Sequence, residues 1–386
     1  MLRSYIELLW VKREKMKVVC VDSCIRSRVF GIDIALRNRF ELFEEMKVPY
    51  ELWVSEAYAD IYSDVGARKR VLECYEALGI DRTKVRFLGL ELGGRSVQEF
   101  AEEELEPADW LIMERLDIPE NILLRRGQDF YVARVLHQDH MIALGQELNK
   151  KVMGWLDQDV LDCLILVGEG QEAYLPQKMR DKALFIPTTY AEQVVQDSRE
   201  RVFDPKDIRL VTVSRLSEEK NVLLLLKIMA LLKFKGHRHF TLDIYGDGPD
   251  MAMLQDVLQL NDLEDMVHFK GYQSQVPYQA YDAYISTSLS EAFATSLYEA
   301  LVNGLPLIGL DVRYANRAYI KHGENGWLIP QNDANQYVVH LEQFSQFGEK
   351  EWRGFSARSK ELANRYHKEL LVNLWEKVFK MSKIGD

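Results

Sequence analysis

Short apolar runs rich in β-branched residues recur along the 386-residue chain, and segments with helical spacing separate many of them. In the second half, the strand candidates are residues 208–213, 240–245, 267–269, 284–286, 305–309 and 327–329. Helical spacing over residues 221–235 separates the first two, and a further helix is predicted to run to Leu260. Apolar strands that alternate with helices predict a doubly wound α/β domain, in which helices cover both faces of a parallel sheet.

The first half repeats this layout less clearly. Its strand candidates are residues 18–21, 50–54, 85–88, 110–113, 151–155, 163–167 and 183–186. Residues 33–45 are predicted to form the helix after the first strand, and the glutamate-rich segment 99–106 a solvated helix face. Because 386 residues exceed the usual size of one hydrophobic core, we expect two domains, with a boundary near the polar stretch 195–206.

Composition restricts the class of partner. The net charge of −11 argues against general nucleic-acid binding, which normally needs a basic face. No apolar stretch reaches the roughly 18 residues that a membrane span needs. The four cysteines lack the paired spacing of a zinc site, so we expect no metal site and a reducing, cytoplasmic setting.

The amino terminus leaves two interpretations open. Residues 5–11 are apolar (YIELLWV), and basic residues follow them instead of preceding them, which is the wrong order for a secretory signal. One interpretation is an amphipathic helix in peripheral contact with the inner face of the membrane. The other is a short extension, residues 1–15, before the first strand.

The loops after strands are the candidate sites, because open α/β sheets bind ligands at the carboxyl ends of their strands. Residues 214–221 (SRLSEEKN) follow one strand and precede a helix. Arg215 offers a planar fork, Lys220 a mobile charge, and the helix end a partial positive charge, which together suit a diphosphate. Taken alone, Arg215 and Lys220 would be interpreted more simply as solvated surface cations.

A second loop, residues 290–300 (SEAFATSLYEA), also follows a strand. Glu291 would lie in the loop and Glu299 about two turns into the helix, so one carboxylate can meet a sugar while the other reaches ribose hydroxyls. The alternative is an acidic helix start with one further helical glutamate. Glu299 lies among apolar residues, however, where a carboxylate needs a partner.

A third loop, residues 245–249 (YGDGP), has a Gly-x-Gly turn that includes Gly246. Such a turn is a weak nucleotide signal, and a plain tight turn explains it equally well.

The order of these elements resembles one family. Residues 211–330 are similar to the donor-binding domain of glycosyltransferase family 4, the group 1 transferases of GT-B fold. The shared features are the Arg and Lys after the first strand, the Gly-x-Gly-Pro turn, the Glu-x7-Glu element, and residues 304–306 (GLP) and 325–329 (NGWLI). Residues 311–316 (DVRYAN) further resemble a segment of the branch that glycosylates teichoic acids and adhesins.

The resemblance implies an α/β chain of two Rossmann-like, doubly wound parallel-sheet domains facing a central cleft. Residues 1–200 would form the acceptor domain and residues 201–365 the nucleotide-sugar domain. Residues 366–386 would be a helix that crosses back to the N-terminal domain.

The resemblance also implies roles for individual residues. Arg215 and Lys220 would hold the donor diphosphate, Glu291 the sugar hydroxyls and Glu299 the ribose. Further donor contacts are expected at Gly31, Gly246, Phe293, Ala294 and Thr295. A strand-end histidine of the family contacts the transferred sugar and corresponds to His137 or His140. His137 is preferred because it directly follows an apolar run, and a structural or surface role is the alternative. Glu291, His137, Lys220 and Arg215 are therefore the predicted catalytic residues.

The implied activity is retaining, metal-independent transfer of a hexose or N-acetylhexosamine from a nucleotide sugar, first of all a UDP-sugar. The acceptor would be a hydroxyl of a glycan, polymer or protein in cell-surface glycan biosynthesis. No Asp-x-Asp motif lies in the donor half, and no cofactor is expected besides the donor itself. Whether the chain forms an oligomer is left open.

One departure from the family keeps a second hypothesis open. The usual Glu-Gly-Phe-Gly is Glu-Ala-Phe-Ala at residues 291–294, and two methyl groups could narrow the sugar pocket. The alternative function is a catalytically silent GT-B protein that binds another transferase. An epimerase or dehydrogenase would need Gly-x-Gly-x-x-Gly after the first strand, which residues 23–31 lack.

Overall fold

The computed structural model describes residues 16–22, 31–54, 65–88, 97–106, 109–114, 130–137, 154, 161–193, 202–330 and 333–381. The chain divides into two compact units, Met1–Thr189 with Glu369–Asp386 and Tyr190–Lys368, here called the N-terminal and C-terminal domains. The sequence had placed these boundaries after residues 200 and 365. The apolar segment 5–11 lies outside the described residues, as do His140 and all of the strand candidate 151–155 except Gly154.

The N-terminal domain contains a seven-stranded sheet in the order β3-β2-β1-β4-β5-β6-β7. All neighbouring strands pair in parallel. The strands are β1 (Val18–Asp22), β2 (Tyr50–Val54), β3 (Val85–Phe87), β4 (Trp110–Met113), β5 (Tyr131–Leu136), β6 (Cys163–Leu166) and β7 (Ala183–Phe185). The helices are α1 (Gly31–Glu45), α2 (Val65–Ala77), α3 (Val97–Glu104) and α4 (Gln177–Asp181), with single 3-10 turns at Arg82–Lys84 and Gln171–Tyr174.

The C-terminal domain contains a six-stranded parallel sheet in the order β10-β9-β8-β11-β12-β13. The strands are β8 (Ile208–Val213), β9 (Phe240–Tyr245), β10 (Val267–Gly271), β11 (Ala283–Ser286), β12 (Leu307–Leu310) and β13 (Gly326–Ile329). The helices are α5 (Val222–Phe234), α6 (Met251–Leu260), α7 (Thr295–Val302), α8 (Ala315–Tyr319), α9 (Ala334–Phe344) and α10 (Glu349–Ala363). Single 3-10 turns lie at Ala191–Gln193, Glu218–Lys220 and Tyr278–Ala280.

Both sheets have the Rossmann strand order, which confirms the predicted doubly wound fold. In each sheet the order of addition reverses between two central strands, β1 and β4 in one domain and β8 and β11 in the other. Flanking helices leave a crevice at the carboxyl ends of such strands, and this switch point is where open sheets bind ligands.

Most predicted strands and helices are present, since their apolar runs are buried on both faces of a sheet; β11 and β12, for example, are buried throughout. The exposure of Glu103 and Glu104 in α3, and of Glu106 just after it, agrees with the predicted solvated face. The strands differ from the sequence prediction at two places. β5 was not among the strand candidates, because Arg134 interrupts its apolar pattern, and Gly154 is helical where a strand was predicted.

The last helix, α11 (Lys368–Met381), packs on the N-terminal domain. The ring of Trp375 lies edge-on to Phe43 of α1 with ring centroids 5.0 Å apart, and Phe379 contacts Trp110 of β4. Its buried apolar face therefore serves core packing. Among the described residues, no helix combines the length and apolar character needed to cross a bilayer.

At three places, an aspartate immediately before one strand accepts a hydrogen bond from a backbone amide in or next to the neighbouring strand. The Asp109 carboxylate accepts a hydrogen bond from the Lys17 amide beside β1, and Asp162 accepts one from Val132 of β5. In the C-terminal domain, Asp282 accepts from the Arg209 amide at 2.7 Å. Each bond satisfies a backbone donor at the amino end of a buried strand, where an unpaired N–H would be costly.

Asp282 should make stability depend on pH. Burial raises the pKa of this fully buried carboxyl to about 7, although the bond from Arg209 partly offsets the rise. In the unfolded chain this carboxyl releases its proton near pH 3.9. Between that pH and about pH 7, the folded state therefore holds a proton that the unfolded chain has lost. The contribution of the Asp282 proton to the free energy of unfolding is complete below about pH 4 and is lost as the pH rises through about 7.

We therefore expect Asp282→Asn, which cannot ionise, to gain stability relative to the wild type as the pH rises from about 5 to about 7.5. The gain should not exceed about 1.4 kcal/mol per pH unit. Urea unfolding at several pH values measures this difference in the free energy of unfolding. Asp109→Asn is the control, because it makes the same substitution at the equivalent position of the N-terminal sheet. A difference that stays constant with pH would contradict the assignment.

Candidate functional site

Lys220 and Glu291 meet at the switch point of the C-terminal sheet. Lys220 follows β8 and Glu291 follows β11, and Lys220 Nζ donates to Glu291 Oε1 at 2.7 Å. The two side chains keep 22% and 15% of their exposure, so the pair is partly desolvated but still reachable by a ligand. The fold thus brings together two predicted site residues that are 71 positions apart.

Backbone and side-chain hydrogen bonds tie the two loops to each other. The Leu289 amide donates to Glu219 O at 2.9 Å, and Thr287 Oγ1 donates to the carbonyls of Lys220 and Asn221. At the start of α7, Ser296 Oγ donates to Val213 O, the last residue of β8. These bonds hold the Lys220 loop and the Glu291 loop in one arrangement before any ligand binds.

Arg215 and the start of α5 complete the first loop. The Arg215 side chain is exposed and lies on the same loop as Lys220. Asn221, with a left-handed φ of 51°, turns the chain from the Glu218–Lys220 turn into α5. Asparagine tolerates this conformation better than most residues. The loop thus ends at a helix amino terminus, where free amides favour an anion.

Gly246 and Gly248 are explained by close packing within the protein. A Cβ at Gly246 would lie 1.9 Å from Ser214 O, and one at Gly248 would lie 2.1 Å from Leu216 O. Gly246 also has a φ of 129°, which glycine adopts far more readily than other residues. The Gly-x-Gly turn therefore supports the loop that carries Arg215, and the donor contact of Gly246 stays a prediction.

Glu299 has the partner that its apolar surroundings require. The Tyr278 hydroxyl donates to Glu299 Oε2 at 2.7 Å, and Tyr278 is only 1% exposed. Burial and the nearby Glu299 charge raise the pKa of Tyr278 well above its ordinary value, so the phenol keeps its proton and acts as a donor. Sequence reasoning missed Tyr278, which lies in the separate turn before β11.

Between Glu291 and Glu299, the main chain is better placed than the Phe293 side chain to contact a donor. The Phe293 ring is buried among Tyr298, Tyr319 and Tyr366. Any contact of Phe293 with a donor would therefore come from its main chain. Thr295 begins α7, and Ala294 precedes it with φ 53° and ψ 69°.

In the N-terminal domain, His137 follows β5 and binds a carboxylate that the sequence did not single out. His137 Nε2 lies 2.9 Å from Glu114 Oε2, and Glu114 directly follows the neighbouring strand β4. The other oxygen of Glu114 accepts a hydrogen bond from Arg39 of α1. Position after a strand was the available signal for Glu114, whereas nothing local marked Arg39.

Gly31 is the other described residue of this domain for which a donor contact was predicted. Gly31 is the first residue of α1, which places its backbone at a helix amino terminus. Within the described ranges, no group of three or more His, Cys, Asp or Glu residues could hold a metal ion.

The chain is similar to known glycosyltransferases. Residues 195–354 match the family model described as Glycosyl transferases group 1. A curated relative is the UDP-N-acetylglucosamine--peptide N-acetylglucosaminyltransferase GtfA subunit of Streptococcus pneumoniae, 27% identical over 296 residues. That match covers 71% of this chain and 57% of the relative, so the chain spans little more than half of the relative's length.

Solved structures show the same fold. Pneumococcal O-GlcNAc transferase GtfA, in complex with UDP and GlcNAc, superposes with a TM-score of 0.80 at 19% identity, covering 96% of this chain and 100% of the other. A variant of S. aureus TarM, in complex with Fondaparinux, alpha-GlcNAc-glycerol and UDP, gives 0.73 at 13% identity, covering 94% and 99%.

The strand order and these superpositions define a GT-B protein with two Rossmann-like domains, which confirms the predicted fold class. The C-terminal domain matches the group 1 glycosyl transferases, which confirms the family predicted from the ordered motifs of this domain.

Ala294 occupies a backbone position that suits glycine. A left-handed φ costs alanine about 1–2 kcal/mol, whereas glycine adopts it freely but loses more entropy on folding. We expect Ala294→Gly to raise the free energy of unfolding by about 0.5–1 kcal/mol, measured by urea denaturation.

Ala292 provides the matched control, because it is buried and has no positive φ. Ala292→Gly should lower the free energy of unfolding by about 1 kcal/mol. Equal destabilisation by both substitutions would show that the backbone of Ala294 is not strained.

Proposed function

We propose that the chain is a retaining glycosyltransferase that moves a hexose or N-acetylhexosamine from a UDP-sugar to an acceptor hydroxyl. The observation that carries the proposal is the Lys220–Glu291 contact at the switch point of a domain of this family. The pneumococcal relative is named for UDP-N-acetylglucosamine, and its solved structure contains UDP and GlcNAc. UDP-N-acetylglucosamine is therefore the first donor to test.

In this proposal, the cations stabilise the leaving group. As the bond between the sugar and the diphosphate breaks, negative charge develops on UDP. Lys220 and Arg215, on a loop that ends at the amino terminus of α5, supply positive charge at fixed positions. Because hydrogen bonds already hold the loop, little reorganisation is needed during the reaction.

The two carboxylates would bind different parts of the donor. Glu291 would accept hydrogen bonds from sugar hydroxyls, and its present partner Lys220 would then interact with both Glu291 and the phosphate. Glu299, held by Tyr278, would accept from the ribose hydroxyls. A carboxylate that accepts from two adjacent hydroxyls gives strong, oriented binding.

The acceptor hydroxyl would attack on the face from which UDP departs, so that the anomeric configuration is retained. The new bond forms between the acceptor oxygen and the anomeric carbon, the bond to UDP breaks, and the departing diphosphate oxygen takes the proton of the acceptor hydroxyl. The name of the pneumococcal relative makes a peptide hydroxyl the first acceptor to test, ahead of a glycan or polymer hydroxyl.

The catalytically silent alternative is not favoured. Ala292 and Ala294 keep the backbone amides that glycine would offer. Lys220 and Glu291 also form an ion pair after β8 and β11, and the Glu299 carboxylate is held by the Tyr278 hydroxyl.

Activity is tested by UDP or other nucleotide release, and by product formation, with a panel of UDP-, GDP- and ADP-sugars. We expect turnover with a UDP-sugar and a reduction of at least about 100-fold in kcat for Lys220→Ala, because a preorganised group at the developing charge is lost. Glu291→Gln should reduce kcat/KM about tenfold or more. NMR of the product would show the anomeric configuration.

Lys235→Ala is the matched control, because Lys235 forms a similar contact with Glu342, at 2.9 Å, at the opposite end of α5 from Lys220. The activity of the Lys235→Ala variant should equal that of the wild type. If no nucleotide sugar is turned over and no nucleotide raises the melting temperature, the enzymatic proposal is wrong.

We also propose that the transfer needs no metal, because Lys220 and Arg215 would neutralise the diphosphate. EDTA should leave the rate of transfer within about twofold of the untreated rate, since less than about 0.5 kcal/mol of transition-state stabilisation would be lost. A loss of activity that Mg²⁺ or Mn²⁺ restores would contradict this part of the proposal.

A further inference from the structure

The two segments that connect the domains are hydrogen-bonded to each other within the C-terminal domain. The first connection enters this domain at Tyr190, and the second leaves it after Lys368. The Ala191 amide, on the first connection, donates to Tyr366 O, on the second, at 2.9 Å. The Lys368 amide donates to Glu192 Oε1 at 3.5 Å. The two connections therefore form one hydrogen-bonded unit.

Helix α7, which carries Glu299, is bonded to the second connection. The Tyr298 side chain is fully buried, and its hydroxyl reaches Ala363 O at 2.9 Å and Tyr366 O at 3.2 Å in a three-centre hydrogen bond. A carbonyl oxygen has two lone pairs, so Tyr366 O can accept both from this hydroxyl and from the Ala191 amide. One carbonyl thus joins α7 to both connections.

The loop after β11 reaches the same place through Phe293. Its ring centroid lies 5.4 Å from that of Tyr298, 5.9 Å from that of Tyr319 and 6.1 Å from that of Tyr366. The three tyrosine rings also contact one another. None of the four side chains is more than 4% exposed. Phe293, Tyr298, Tyr319 and Tyr366 therefore form one buried aromatic cluster.

Close packing allows this cluster to transmit a change in the loop. Packed interiors switch between discrete arrangements and do not deform continuously, so a ring cannot move without its neighbours. Glu291 lies two residues before Phe293, and Glu299 directly follows Tyr298. A ligand held by both carboxylates would restrict the loop and α7 together, and both contribute a ring to the cluster.

We propose that the aromatic cluster couples occupancy of the Glu291 loop to the order of both connections. A nucleotide in the loop would hold Phe293 and Tyr298 in place, so that Tyr366 O stays a fixed acceptor for the Ala191 amide. By linkage, ordered connections would in turn favour nucleotide binding. The identity of the ligand rests on the proposed function, whereas the link between the loop and the connections does not.

The first experiment measures hydrogen exchange of the Ala191 amide without ligand, by mass spectrometry with electron-transfer fragmentation. Tyr298→Phe removes the hydroxyl and keeps the ring. The exchange rate should rise about fivefold, because the anchor of Tyr366 O loses one hydrogen bond of ordinary strength. Phe293→Leu keeps that hydrogen bond and removes the ring contacts of the loop. It should raise the rate about threefold or more, because leucine packs less well in an aromatic site.

Tyr337→Phe is the matched control. Tyr337 is also fully buried, and its hydroxyl donates to another main-chain carbonyl of the same domain, Ser286 O, at 2.5 Å. This variant should leave the exchange of the Ala191 amide unchanged. A wild-type exchange rate in Phe293→Leu would overturn the proposal. A uniform rise over all amides of the C-terminal domain would also overturn it, because it would show only a general loss of stability.

The second experiment adds UDP at a saturating concentration, which calorimetry establishes for each variant. UDP should slow the exchange of the Ala191 amide at least about fivefold in the wild type, the lower end of ordinary coupling between sites. In Tyr298→Phe and in Phe293→Leu this factor should fall towards one. Tyr337→Phe should keep the wild-type factor. Slowing of the same size in all three variants would show that UDP acts on Ala191 by another route.

The two experiments fail in different ways. If no nucleotide binds to the wild type, the proposed function is wrong, and the exchange measured without ligand still decides whether the loop is linked to the connections. If UDP binds and leaves the exchange of the Ala191 amide unchanged, the coupling is wrong and the proposed function is retained.

Discussion

Parallel pairing of buried strands is the constraint on which both candidate sites depend. Since neighbouring strands run in the same direction, the residues after them reach one edge of the sheet. The reversal of strand order then separates the flanking helices at β1 and β4, and again at β8 and β11. Lys220 and Glu291 meet at one of these points, and Glu114 lies at the other.

Charge pairing makes these edges useful for chemistry. A buried or partly buried charge loses solvation, and a partner with good geometry offsets that loss. In the C-terminal domain, the Lys220–Glu291 pair keeps some exposure and can accommodate a charged ligand. In the N-terminal domain, Arg39, Glu114 and His137 are nearly buried, which favours a fixed proton position over mobility. The two edges thus combine an adaptable ion pair with a rigid polar group.

The parts of the site that could be predicted lie next to apolar strands in sequence. Lys220, Glu291 and His137 follow such runs, and a residue after a parallel strand must lie at the ligand-binding edge. Arg39 and Tyr278 could not be found in this way, because each reaches the site through a contact with a residue distant in sequence. The glycines of the 245–249 turn show that one motif can have a packing explanation as well, since a Cβ at Gly246 or Gly248 would meet the backbone of Ser214 or Leu216.

The sequence by itself determined the class of fold, the family of the C-terminal domain, and the loops on which the predicted donor residues lie. These properties depend on periodicity and on the local order of motifs. Only the tertiary structure decided which side chains are partners: Glu291 with Lys220, Glu299 with Tyr278, and Glu114 with both Arg39 and His137. The reason is physical, because hydrogen bonds and ion pairs act over a few ångströms in space, and strand order sets those distances.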